Sequence, residues 1–171
     1  MLTEFRRINK MLSNTFFLSR GDMNRNVLLG IGNRLRSDDG AGSLLAEMFS
    51  FPGWLSVDGD IMPENFTGII KKENPGILII VDACSMDERP GSFRRIPLAH
   101  LSSEYGFNTH NASVKTLIEY LHQFVKEIVF IGIQPETTAF GEKLSAVVKN
   151  VLPQIADILK KNAWENIPEK E

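Results

Sequence analysis

Three short, unbroken apolar runs constrain this chain more than any other feature: VLLGI at residues 27–31, GILIIV at 76–81 and IVFIGI at 128–133. Runs of this length without polar alternation read as strands buried on both faces, as in a parallel sheet covered by helices. The second is entered through the turn pair Pro75-Gly76. Between and after the runs the apolar spacing turns helical. Leu44, Leu45 and Met48 follow the first run, and Val114, Leu117, Ile118, Leu121 and Val125 precede the third. Leu144, Val147, Val148, Val151, Ile155 and Leu159 mark a last helix that Pro153 is expected to kink or divide. A weaker strand is expected at 55–57 and a more polar edge strand at 92–96. Strands alternating with helices predict an α/β fold.

With 171 residues the chain has room for one domain with a sizeable core. We expect a flexible extension at residues 1–26, a single α/β domain at 27–161 and a polar tail at 162–171 that frays. The extension is basic and lacks a signal-type apolar stretch, and Met23 is an alternative start three residues ahead of the first strand. The formal net charge of −2 offers no basic field, which argues against a nucleic-acid partner. No apolar run approaches the roughly 18–20 residues that a membrane span requires. A single cysteine, Cys84, excludes an intrachain disulfide and a cysteine-cluster zinc site, and suits a reducing, cytoplasmic setting.

In open α/β sheets, sites form beyond the carboxyl ends of the strands. Asp38 and Asp39 follow the first apolar run in the loop GIGNRLRSDDGAG, Asp82 ends the second, and His110 precedes a helix. Each has a structural alternative. Either Ser37 or Asp38 could be a helix N-cap, and Asp39 a first-turn acid favoured by the helix dipole. Asp82 pays desolvation at the end of an apolar strand unless it is paired, hydrogen-bonded or bound to metal. His110 lies in the turn-forming stretch NTHN, where a histidine can simply be exposed. His100 and His122 read as structural. Two carboxylates and an imidazole form a partial coordination set suited to nickel or zinc, with geometry left to choose between them.

Taken together, the motifs resemble the [NiFe] hydrogenase maturation endopeptidases, from about residue 27 to residue 159. The likeness is carried by Gly30-Ile31-Gly32-Asn33, Ser37-Asp38-Asp39-Gly40-Ala41-Gly42, Val81-Asp82-Ala83 and Thr109-His110-Asn111. Pro63-Glu64-Asn65 and Gly132-Ile133-Gln134-Pro135 resemble the branch serving hydrogenases of the formate hydrogenlyase type. The resemblance implies a three-layer α/β/α sandwich around a twisted, mostly parallel sheet of about five strands. It also implies a peptidase that removes a C-terminal extension from the hydrogenase large-subunit precursor after nickel insertion. Carried over by position, the metal ligands, and with them the catalytic set, are Asp39, Asp82 and His110, with Asp38 as a further candidate. Some family members have Glu where Asp39 stands.

Nickel would then arrive with the precursor, and zinc or cadmium could replace it in a crystal. The other expectations are a cytoplasmic monomer without membrane insertion. Two rival functions fit parts of the same sequence. One is a related metal-dependent peptidase acting on another precursor. The other is a nucleotide-binding module, which would want a third glycine where Leu35 stands and would set paired aspartates against a pyrophosphate.

Overall fold

The computed structural model describes residues 25–101, 110–141 and 143–171, with side chains of the last long helix but one described from Val114 onward. The expected extension therefore lies outside the described residues up to position 24. Arg25 and Asn26 already belong to the ordered body. Arg25 pairs with Glu73 at 2.6 Å, and Asn26 opens the first strand.

Five strands form one sheet in the order β2-β1-β3-β5-β4. They are β1 (Asn26–Ile31), β2 (Trp54–Asp60), β3 (Ile77–Ala83), β4 (Phe93–Arg95) and β5 (Glu127–Ile133). The first three and β5 pair in parallel, and β4 runs antiparallel along β5. The three apolar runs are thus the three central strands. Strand alternation sends Val27, Leu29, Leu78 and Ile80 to one face and Leu28, Ile77, Ile79 and Val81 to the other. Neither face is left wet, which is why these strands carry no polar alternation.

Helices α1 (Ala41–Met48) and α4 (Ala146–Lys160) cover one face through Leu45, Val148, Leu152, Ile155 and Leu159. Helices α2 (Thr67–Glu73) and α3 (His110–Leu121) cover the other through Ile70, Val114, Leu117, Ile118 and Leu121. The result is the expected α/β/α sandwich.

Four local expectations are corrected. Helix α2 went unpredicted because seven residues including Gly68 and two lysines give too little periodicity to see. Pro153 does not divide α4, which runs unbroken around it. Pro153 and Lys149, whose carbonyl loses its i+4 donor, both face solvent, so water can take that carbonyl. Met48 is 50% exposed and does not join the core.

The C-terminal tail does not fray. Ile167 is buried, and Trp164 packs edge-on against Trp54 with ring centroids 6.1 Å apart. Beyond them, Arg95 donates to the Pro168 carbonyl at 2.9 Å, and Lys170 donates back to Arg95 at 2.8 Å. The tail thereby covers the outer side of β4, an edge that would otherwise offer unpaired backbone groups.

Candidate active site

Four parallel strands end on the same edge, so the loops after β1, β3 and β5 converge there. The β1 loop is drawn onto the sheet by glycines. A methyl at Gly30 would stand 1.9 Å from the Gly42 carbonyl oxygen, and one at Gly42 would stand 2.1 Å from that of Val81. Helix α1 starts in direct backbone contact with β1 and β3, an approach only glycine permits. This packing places the short 3-10 turn Ser37–Gly40 beside the end of β3.

The two adjacent aspartates of that turn have different surroundings. Asp38 is fully buried. Its Oδ2 accepts the N–H groups of Glu136 at 2.9 Å and Thr137 at 3.2 Å, and its Oδ1 accepts that of Ser145 at 2.6 Å. Its own N–H donates to the Thr137 carbonyl at 3.2 Å. Asp38 thus fastens the β1 loop to the loop between β5 and α4. Neither Ser37 nor Asp38 caps α1, whose N-cap position is Gly40 and which has no side-chain cap. That expectation is corrected: the carboxylate serves a loop a hundred residues away. Asp39 is half-buried, and its Oδ2 accepts the Asn33 N–H at 3.3 Å.

Asp82 is the penultimate residue of β3 and only 5% exposed. Its Oδ1 accepts the Ala83 N–H at 2.8 Å. Burial, and then the nearby negative charge of Asp39, push its pKa up to about 7, with the Ala83 bond acting in the opposite direction. No cation pairs with Asp82 among the described residues. The structure therefore brings Asp39 and Asp82 together as a like-charged pair at the sheet edge.

His110 is the first residue of α3, but its side chain lies outside what is described, as does Thr109. Among the described residues no group of three His, Cys, Asp or Glu side chains is gathered to hold a metal. Two carboxylate oxygen donors are what the described residues supply, a set that fits part of a divalent site and leaves the remainder to other ligands. His122 lies one residue beyond α3 and is exposed.

Supporting contacts escaped the sequence. Arg34 donates to Ser43 Oγ at 2.9 Å and to Asp58 at 2.8 Å and pairs with Glu47, tying the β1 loop to α1 and β2. The Gln134 carboxamide accepts the Met86 N–H at 2.6 Å, holding the β3 loop against the end of β5. Cys84 is buried, and burial followed by the charges of Asp82 and Asp39 pushes its thiol pKa well above the usual range. A thiol in that state is a poor nucleophile.

Among the described residues, then, the fold carries a carboxylate pair at its sheet edge and a buried, poorly nucleophilic thiol. The family profile of the hydrogenase maturation proteases matches residues 41–162, a stretch containing Asp82 and His110 and beginning two residues after Asp39. The hydrogenase 3 maturation protease of Escherichia coli K12 is 34% identical over 142 residues, covering 81% of this chain and 90% of that protein. A crystal structure of a hydrogenase 3 maturation protease superimposes with a TM-score of 0.78 at 31% identity, over 88% of this chain and 99% of the other. The [NiFe] hydrogenase maturation protease HycI of Thermococcus kodakarensis gives 0.71 at 29% identity, over 84% and 94%. The chain belongs to the hydrogenase maturation protease family and is an endopeptidase.

Proposed function

We infer that this enzyme removes a C-terminal extension from the large-subunit precursor of a [NiFe] hydrogenase once nickel is in place. In this reading Asp39, Asp82 and His110 engage the nickel that the precursor carries. The observation behind it is the Asp39–Asp82 pair: two carboxylates at one sheet edge, one of them buried, with no cation beside Asp82 among the described residues. Such an arrangement costs stability in the free protein and is relieved by a divalent ion. Precursor-borne nickel would bring its own ligands and need few from the peptidase. Bound there, the metal would polarise the scissile carbonyl, and a carboxylate at the edge would orient the attacking water. Asp38 is given no chemical step, because both its oxygens are engaged by backbone N–H groups.

We place the enzyme in the cytoplasm as a monomer; no described helix is long and apolar enough to cross a membrane. The test compares nickel-loaded and nickel-free precursor in a cleavage assay. Only the loaded form should be cut, and equal cleavage of both would remove nickel recognition from the account.

A further inference from the structure

Several large apolar side chains stand exposed on the loops leaving the site edge: Leu35 (57%) after β1, Ile61 and Met62 (50% each) after β2, and Phe140 (87%) after β5. Phe140 stands apart because its ring is nearly all in water yet its loop is closely held. Gly141 donates to the Leu35 carbonyl at 3.0 Å, and Ser37 donates from its N–H to Gly141 at 2.6 Å and from its Oγ to Ala139 at 3.1 Å. Arg36 Nε donates to the Thr138 carbonyl at 3.1 Å, and its guanidinium lies 5.8 Å from the Phe140 ring centroid. The Asp38 clamp holds both ends of the same loop. The Asp39 N–H donates to the Arg36 carbonyl at 3.1 Å, so the ring and the site carboxylate share one hydrogen-bonded body.

A ring carried on backbone that is already held binds without paying the ordering cost of a mobile loop, and large aromatic side chains dominate interface energetics. A protruding ring needs a pocket. An extended tail presents side chains but has no pocket to receive one; a folded protein surface has. We propose that Phe140, flanked by Leu35, is a docking knob that seats in an apolar pocket on the folded body of the precursor. This rests on the proposed function, since it names the part of that substrate which the site edge grips. The contact helps hold substrate and transition state alike, so it acts on binding and not on the chemical step.

The test uses the full-length enzyme with nickel-loaded large-subunit precursor, and in parallel a synthetic peptide spanning the cleavage point and the tail. Phe140→Ala should raise KM for the precursor by about tenfold or more with kcat within about twofold, and leave affinity for the peptide unchanged. Leu35→Ser should act in the same direction more weakly, and both variants should keep the wild-type melting temperature. An unchanged KM for the precursor overturns the knob while leaving the peptidase function standing. Equal weakening for peptide and precursor assigns the ring to the tail and overturns the proposal. Loss of a wild-type dimer on Phe140→Ala in sedimentation assigns it to a second copy, with the same consequence. If the wild-type enzyme cuts no precursor, the functional reading itself falls and takes the knob with it.

Discussion

Two regions of this molecule bury a carboxylate at the same sheet edge and treat it in opposite ways. Between the β1 and β5 loops, Asp38 receives three backbone N–H groups and is fully enclosed. At the end of β3, Asp82 receives one N–H, faces the like charge of Asp39, and is held near a pKa of 7. The first environment solvates the charge with fixed dipoles and so lets it organise backbone. The second leaves the charge undersatisfied, and an undersatisfied acid retains affinity for a ligand. If the proposed function holds, the structural and the functional carboxylate are separated here by their partners, not by burial.

The comparison breaks most visibly in activity. Asp82→Asn and Asp39→Asn should each cut the cleavage rate of nickel-loaded precursor by more than about a hundredfold, since loss even of an outer partner of a metal ligand costs 10–100-fold. Both should still fold, with cooperative melts. If either retains wild-type cleavage, the proposed pair is wrong at that position.

Asp38 should show the reverse emphasis. Asp38→Ala strands three N–H donors and should cost about 2–4 kcal/mol, with losses limited where water reaches the loop. For a chain of this size that corresponds to a fall in Tm of roughly 5–15 °C. Asp38→Asn keeps one acceptor oxygen and should fall between wild type and Asp38→Ala. Melting by circular dichroism checks both, and an unchanged Tm for Asp38→Ala would deny the clamp.

A pH series sharpens the contrast further. The folded-state pKa of Asp82, about 7, lies above its unfolded value of 3.8. Between these values the folded state binds more protons than the unfolded one, so the stabilising contribution is full below about pH 3.8 and lost as pH rises through 7. Metal-free wild type should therefore lose stability relative to Asp82→Asn between pH 5 and pH 8. The gap should approach ~2–4 kcal/mol at about 1.36 kcal/mol per pH unit. Denaturant midpoints for the two proteins with a chelator present would measure it. Parallel curves would mean that Asp82 is better solvated than its surroundings indicate.

How much of this was legible beforehand depended on how local the cause was. The central strands announce themselves because burial on both faces leaves no room for polar residues, and β4 because its residues are mixed. Asp82 could be singled out as a charge closing an apolar run. The choice of Asp39 over Asp38 as ligand came only from the family resemblance, and the clamp that Asp38 forms could not be read. Two identical adjacent residues differ only in what meets them, and the N–H groups of Glu136, Thr137 and Ser145 come from the far end of the chain. The tail was misjudged for a similar reason. Trp164 and Ile167 look isolated among polar neighbours, while the ring that Trp164 meets, Trp54, is contributed by β2. Phe140 carries no sequence signal at all, since exposure depends on the folded loop.

The smallest effect is expected at Cys84, and it tests whether the edge contains any nucleophile besides water. Cys84 lies two residues past Asp82, close enough for proximity alone to suggest a thiol mechanism. Its environment argues otherwise. Burial, Asp82 and Asp39 all raise the cost of forming the thiolate, and none of them supplies a cation that would stabilise it. The side chain instead packs against Gly132, where an added methyl would stand 3.1 Å from its Cβ. Cys84→Ala should therefore leave cleavage within about twofold of wild type and cost about 1 kcal/mol through the lost sulfur contacts. Wild-type protein should likewise resist thiol alkylation while folded. Loss of cleavage in a normally folded Cys84→Ala enzyme would move the chemistry from the carboxylate pair to the thiol.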